Sequence, residues 1–149
     1  MSITLDGTNG ITSPDVVTND GQVYAKENIL GTVSESGGVP TGAIIERGSN
    51  ANGEFVKYAD GTMVAWNTDV TGAEVIINEA DGNVFVSSPI AYTPASEFSG
   101  FYYVTSGSDG ARNWGGGSPT SGASVSFRLF RATTTISFRA KAMAIGRWF

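Results

Sequence analysis

Apolar and polar side chains alternate along several short stretches of this chain, which is the pattern of half-buried strands. Residues 55–58 and residues 63–66 each alternate, and the pair Asp60-Gly61 lies between the two runs. Asp-Gly is favoured in two-residue turns because both positions take a positive φ. The pattern therefore predicts a β-hairpin over residues 54–66, with Met63 and Ala65 on the face opposite to Val64 and Trp66.

The last third of the chain alternates most regularly. Residues 125–131 and 136–148 both alternate, and residues 132–135 are expected to join them as the loop of a hairpin. In this arrangement the apolar faces meet on the core, and Arg128, Arg139 and Lys141 form a basic stripe outside. Three interpretations of the stripe stay open: a solvated face, a contact with an acidic part of another subunit, or a site for an anionic ligand such as a surface polysaccharide or lipopolysaccharide phosphate.

The first 41 residues differ from the rest. Polar residues, Gly and Pro14 interrupt every apolar cluster there, so the segment cannot form a core by itself. Its apolar residues recur regularly, which favours an extended arm that rests on a partner over a flexible tail. Gly37, Gly38 and Pro40 break any regular element. We therefore predict an arm over residues 1–41 and a folded domain over residues 42–149.

The composition favours an all-β domain. The chain has 149 residues and 20 glycines, and no long stretch carries apolar residues at helical spacing. Further short strands are predicted at residues 74–77, 84–86 and 101–104, the first two on either side of a turn at residues 81–83. Little helix is expected.

Charge is distributed unevenly along the chain. Residues 1–96 hold twelve acidic and three basic side chains, a net charge of −9, whereas residues 97–149 hold two acidic and six basic ones, a net charge of +4. The two parts are expected to meet different surroundings or each other in an assembly, and the excess of acidic residues argues against nucleic-acid binding. Neither a signal peptide nor an apolar segment of membrane-spanning length is recognisable, so synthesis in a cytoplasm without membrane insertion is expected.

Catalysis is not expected. The chain has no cysteine and no histidine, so a zinc site would depend on carboxylates alone and the usual general base at neutral pH is missing. Glycoside hydrolysis needs two carboxyl groups facing each other in a cleft. The candidates Glu74, Glu79 and Asp81 lie near a turn, where acidic residues are common. We expect no enzyme activity, no cofactor and no metal.

Residues 106–124 form the longest stretch without periodicity, and long loops in compact domains are often functional. Trp114 lies there with Asp109, Arg112 and Asn113. An indole can stack on the apolar face of a sugar while the three polar side chains hydrogen-bond its hydroxyls. The sequence therefore predicts a glycan site at these four residues. The alternative is that Trp114 folds back over one end of the domain and the glycine-rich rim contacts nothing.

The chain ends on two aromatic residues, Trp148 and Phe149. Exposed aromatic side chains at a terminus tend to find a partner surface. We expect both to be buried in an oligomer contact. The alternative is a monomer whose end is tucked into its own core.

Two separated segments carry a family resemblance. The run GSNANGEFVKYADGT at residues 48–62 resembles a segment that recurs in tail fibre and tail tip proteins of bacteriophages, and the final AIGRWF is similar to the ending of many of them. Residues 85–104 and 125–143 resemble, more loosely, the small sandwich of H-type lectins, a module of phage fibres. The run TLDGTNGITSPDV at residues 4–16 resembles the extended arm at the start of some phage fibre proteins.

This resemblance implies a virion structural protein, a tail fibre or tail tip subunit of the phage. Its arm would attach to other tail or baseplate proteins, and its antiparallel β-sandwich head, a homotrimer in that family, would bind a host surface glycan without covalent chemistry. Synthesis in the host cytoplasm and release by lysis would bring it to its place in the virion. Two alternatives stay open: a purely structural baseplate or capsid decoration subunit with no ligand, and a free lectin-like sugar-binding module.

Overall fold

The computed structural model describes residues 17–18, 21–22, 26–108, 114–116, 120–121, 124–132 and 137–149. The described residues form an all-β fold in which every pair of strands is antiparallel, as predicted, with a single turn of helix before the main sheets. The elements are β1 Val17–Thr18, β2 Gly21–Gln22, α1 Lys26–Ile29, β3 Glu35–Ser36, β4 Val39–Pro40, β5 Ile45–Asn50, β6 Gly53–Tyr58, β7 Thr62–Asn67, β8 Glu74–Asp81, β9 Val84–Ser87, β10 Ile90–Tyr92, β11 Phe101–Ser108, β12 Trp114–Gly116, β13 Thr120–Ser121, β14 Val125–Arg131 and β15 Ser137–Arg147.

The long strand β15 lies in the middle of the first sheet. Its second half pairs with β7 along one edge and with β11 along the other, so that Ala144 lies opposite both Ala65 and Val104. β6 and β5 extend the sheet beyond β7, and β13 pairs with the start of β11. The strand order of the first sheet is therefore β5-β6-β7-β15-β11-β13.

The second sheet begins where β15 leaves the first. The first residues of β15 pair with β8, and β8 forms the predicted hairpin with β9 around residues 82–83. β9 and β10 follow one another along one edge of β14, while β12 occupies its other edge, so that Phe130 lies opposite both Val86 and Trp114. The ladder is interrupted after β9, where the buried Ser87 hydroxyl accepts a 3.1 Å hydrogen bond from the Leu129 amide.

The inward positions of the two sheets form one core, so the arrangement is sandwich-like. The alternation read from the sequence is confirmed in β7, where Met63 and Ala65 are fully buried, and in β15, where Ala140, Ala142 and Ala144 are buried between exposed neighbours. The core members are Met63, Ala65, Ile77, Ile90, Tyr92, Phe98, Tyr102, Val104, Phe127, Leu129, Ala140, Ala142 and Ala144.

Part of the predicted arm lies against the folded domain. Leu30 bridges to Ile45 at the start of β5, and the amides of Ala43 and Ile44 donate to the carbonyls of Thr32 and Asn28. Between these contacts Val33 is only 5% exposed. Residues 28–41 are thus bonded to the first sheet, and the preceding residues lie largely outside the described part of the chain.

Two expectations about the strands were wrong. The hairpin predicted between residues 125–131 and 136–148 does not form, because β14 and β15 are separated by β9 and β8. Alternation determines which face of a strand is buried, but it does not determine which strand lies beside it. The stretch 106–124 also contains strands: β11 continues to Ser108, and β12 and β13 add to sheet edges through backbone hydrogen bonds, which need no side-chain pattern.

The predicted turn of the 54–66 hairpin differs in length. The strands β6 and β7 form as expected, but Ala59, Asp60 and Gly61 lie between them, giving a three-residue loop with a positive φ of 91° at Gly61. Three-residue loops commonly end on a residue of positive φ, which glycine adopts without steric cost.

Candidate functional site

The two segments that carry the family resemblance meet in the structure. The end of β15 pairs with β7, with Ile145 opposite Val64 and Gly146 opposite Met63. Beyond the strand, the Trp148 amide donates a 3.0 Å hydrogen bond to the Gly61 carbonyl, and its indole Nε1 donates at 2.7 Å to the Tyr58 carbonyl. The final residues are thus fixed to the hairpin loop at residues 59–61, more than eighty residues earlier in the chain.

Close packing explains the glycines of both segments. A Cβ at Gly146 would lie 2.6 Å from the Tyr102 Cβ and 2.8 Å from the Phe98 ring, which stack on each other with centroids 4.5 Å apart. A Cβ at Gly61 would meet the guanidinium of Arg147 and the ring of Phe149. Both glycines therefore lie where the loop, β11 and the C-terminus approach too closely for a side chain.

The loop beside the C-terminus is held by its own aspartate. The Asp60 carboxylate accepts a 2.9 Å hydrogen bond from the Thr62 amide, and this bond lowers the pKa of Asp60 below its usual value, with a smaller contribution from the Arg147 charge. Such a bond fixes the loop in the turn conformation.

Trp148 and Phe149 both have contacts within their own chain. Trp148 packs against the core, and the Lys57 amine lies 5.7 Å from its ring centroid. Phe149 meets Trp148 edge to face at 4.5 Å and lies 5.3 Å from the Arg147 guanidinium. This arrangement corresponds to the alternative in which the chain end folds onto its own domain. An additional contact of the two residues with another subunit stays a prediction.

The strands that carry the predicted basic stripe are not neighbours. Arg128 on β14 lies in the second sheet and pairs with Glu79 at 3.3 Å. Arg139 on β15 pairs with Asp69. Lys141 is exposed further along β15, and no carboxylate of the described residues forms an ion pair with it. The hairpin that would have formed the stripe is absent, and Lys141 is the stripe residue without an ion pair among the described residues.

Lys141 lines a shallow groove that the sequence did not predict. The groove has a volume of about 200 Å³ and opens on the outer side of the first sheet, where β7, β15 and β11 run side by side. Its lining residues are Trp66, Asn67, Thr68, Thr105, Ser106, Gly107, Lys141, Ala142 and Met143. The sequence had placed Lys141 on an outward face and Trp66 on the same face as Val64, but only the pairing of Met143 with Trp66 brings Trp66 and Lys141 together.

The groove combines an apolar floor with polar groups at its edge. Trp66 and Met143 offer an indole and a thioether, and Lys141 offers an ammonium group. The Ser106 hydroxyl is buried and has no hydrogen-bond partner among the described residues. The Asn67 amide is already engaged, because it donates to the Asn52 carbonyl and accepts from the Asp69 amide. The volume is smaller than the 300–1,000 Å³ typical of drug-sized ligands, so it suits a single small ring.

The predicted glycan site lies mainly outside the described residues. Asp109, Arg112 and Asn113 are not described, and Trp114 is described by its backbone, which pairs with Phe130 at the edge of the second sheet. Ser106 and Gly107, which line the groove, directly precede this segment in the chain. The assignment of the four residues to a glycan stays a prediction.

The described residues contain no group of three or more carboxylates arranged to hold a metal ion. Among the carboxylates considered for hydrolysis, Glu79 is engaged with Arg128 and with the Ser88 hydroxyl at 2.7 Å. No helix among the described residues has the length and apolar character needed to cross a bilayer.

Comparison of the chain with known protein families, with curated proteins and with solved structures finds no match.

Proposed function

We propose that this chain is a structural subunit of a bacteriophage tail fibre or tail tip, and that it attaches the particle to the host by non-covalent binding of a surface glycan. The observation that carries the proposal is the junction of its two resembling segments. Residues 48–62 and 144–149 each resemble phage fibre segments in sequence, and in the structure they bind each other through Trp148, Gly61 and Tyr58. Two motifs that form one packed unit are expected to occur together.

The groove beside Lys141 supports the binding part of the proposal. An indole and a thioether provide an apolar surface for the ring of a sugar, and the lysine ammonium can pair with a carboxylate or phosphate substituent. Asp109, Arg112, Asn113 and Trp114, which the sequence predicts to bind a sugar, follow the groove residues Ser106 and Gly107 in the chain. Individual contacts of this size are weak, so several linked copies would be needed for firm attachment.

Variants of the two candidate surfaces test this function. We expect Lys141→Ala and Trp114→Ala each to lower binding of the purified chain to an array of bacterial surface polysaccharides about tenfold or more, the scale expected when a charge-assisted or stacking contact is lost. Particles that carry the same variants should assemble normally and adsorb more slowly to host cells. Arg128→Ala, which changes an exposed arginine of the second sheet, is the matched control and should leave binding unchanged.

The alternative of a ligand-free baseplate or capsid decoration subunit predicts another result. In that case the wild-type chain binds no polysaccharide on the array, and both variants adsorb like wild type. Impaired particle assembly in both variants would likewise contradict an attachment role for Lys141 and Trp114.

A further inference from the structure

Large apolar side chains are exposed on the outer side of the first sheet, opposite the core. Phe101 is 76% exposed and Tyr103 is 64% exposed, and both lie on β11. Met143 and Ile145 on β15 are 44% and 46% exposed. The outer face, as we call it, consists of Tyr58, Val64, Phe101, Tyr103, Met143 and Ile145.

These side chains form one continuous patch. Tyr103 lies opposite Ile145, and Ile145 lies opposite Val64 on the next strand. Val64 in turn lies opposite Val56 on β6, two residues before Tyr58. The patch therefore crosses four neighbouring strands, and none of its six members is charged.

The area of the outer face matches the apolar part of a stable protein interface. An aromatic side chain offers about 150–250 Å² of surface. On this scale the exposed fractions of the outer face together leave on the order of 500 Å² open to water, mostly from Phe101, Tyr103, Tyr58, Met143 and Ile145. A standard interface buries about 800 Å² on each partner, of which somewhat more than half is apolar. Scattered single hydrophobic residues need no explanation, but a contiguous patch of this size marks a contact surface.

We propose that the outer face binds a second copy of this chain. Sugars, nucleic acids and lipid headgroups require polar or charged partners, which the centre of the patch lacks. A flat face of alternating strands is complementary to another sheet, since sheets pack face to face about 10 Å apart. Every other copy of this chain carries the same flat face, and symmetric homo-oligomers are the commonest protein assemblies.

The contact is compatible with the groove. Lys141 is separated from Met143 on β15 by one inward-facing residue, and it lies at the end of the patch away from Ile145. A contact centred on Phe101, Tyr103 and Ile145 therefore leaves the lysine end of the groove open. The contact rests on the proposed function, in which several linked copies bind the host. The outer face, rather than Trp148 and Phe149, is then the principal contact between copies.

Solution mass tests the proposal on the full-length chain. We expect light scattering to give twice the monomer mass for the wild type, and the monomer mass for the double variant Tyr103→Thr, Ile145→Thr. Threonine keeps the β-branched or strand-compatible character of these exposed positions while removing the apolar surface. Circular dichroism and thermal unfolding verify that the variant is folded, and the single variant Phe101→Thr, at a strand end, provides a milder test that should weaken association.

The matched control is Ile76→Thr. Ile76 is 52% exposed on β8, away from the outer face, and its replacement should leave the oligomer intact. A monomeric wild type at concentrations up to about 100 µM, far above the Kd of stable complexes, would overturn the proposal. So would an oligomer that persists in the folded double variant. Because neither measurement involves a host or a glycan, failure here is distinct from failure of the attachment function.

Discussion

At the scale of single residues, two tyrosines of the core stand out because their hydroxyl groups are buried. Tyr92 and Tyr102 are 1% and 0% exposed, and neither hydroxyl has a hydrogen-bond partner among the described residues. Burial raises the pKa of Tyr92 to about 12, with a smaller contribution from Tyr102, and burial raises the pKa of Tyr102 as well. The rings contribute apolar surface to the core, while the hydroxyls are desolvated without a hydrogen bond from the described residues.

The stability of the protein should therefore depend on Tyr92 at high pH. In the unfolded chain tyrosine loses its proton near pH 10, whereas folded Tyr92 keeps it to about pH 12. The unfolded state then binds fewer protons, so the contribution of Tyr92 to the free energy of unfolding is constant below pH 10 and falls between pH 10 and 12. We expect Tyr92→Phe to reduce this fall, and to be at least as stable as wild type at pH 7 because an unpartnered hydroxyl is removed.

Urea unfolding at pH 7, 9, 10 and 11 measures this dependence. Tyr103→Phe is the control, because it removes an exposed tyrosine hydroxyl rather than a buried one. Tyr102 retains its own raised pKa in the variant, so part of the fall persists. If the free energy of unfolding falls with pH equally in wild type and Tyr92→Phe, the raised pKa of Tyr92 does not cause the fall.

At the scale of elements, the loop between β6 and β7 and the end of β15 form the tightest junction of the fold. Gly61 combines a positive φ of 91° with the close approach of Arg147 and Phe149. The backbone of the same residue also accepts the hydrogen bond of the Trp148 amide. The conformation and the contact are separable, because Gly72 has a positive φ of 65° and a Cβ at Gly72 would meet no atom of another segment within 4 Å.

We expect Gly61→Ala to destabilise the protein more than Gly72→Ala. Both variants incur the steric cost of a positive φ, about 1 kcal/mol. Only Gly61→Ala must in addition displace the Arg147 and Phe149 side chains, and overpacking of this kind costs roughly 1–3 kcal/mol. Chemical unfolding of the two variants gives the difference directly. Equal losses in the free energy of unfolding would mean that Arg147 and Phe149 move aside at no energetic cost. The junction would then not stabilise the fold.

At the scale of the whole molecule, the extent of the folded unit depends on residues 28–41. Their amides and carbonyls bond to residues 43–45, the Val33 amide donates to the Glu46 carboxylate at 2.9 Å, and Val33 is buried. The sequence placed the domain boundary between residues 41 and 42. These contacts link the two sides of that boundary.

A chain beginning at Gly42 should therefore be less stable than one beginning at Lys26. We expect a loss of about 2–4 kcal/mol in the free energy of unfolding, from the backbone hydrogen bonds and the burial of one valine. Urea unfolding of the two chains measures it, with circular dichroism to show that both are folded. Equal midpoints would support the boundary at residue 42, with residues 28–41 resting on the domain without stabilising it.

The sequence by itself determined the direction of the side chains. In β14 and β15 alternation identified the buried face, and in β7 it identified the residues that share a face, because successive side chains of a strand point to opposite sides whatever lies beside it. The position of the turn at Asp60 and Gly61 was likewise readable, although the loop has three residues instead of two, since turn residues act through a few adjacent positions. These features gave the all-β class, but they carry no information on which strands are neighbours.

Tertiary structure decided the neighbours, and with them every candidate site. Placing β9 and β8 between β14 and β15 separated Arg128 from Lys141, and pairing β15 with β7 and β11 created both the groove and the outer face. The same pairing brought Trp148 to the Tyr58 carbonyl. Strand pairing depends on the sum of many distant contacts and on burying both sheets together, whereas side-chain direction is fixed by the pleat of a single strand.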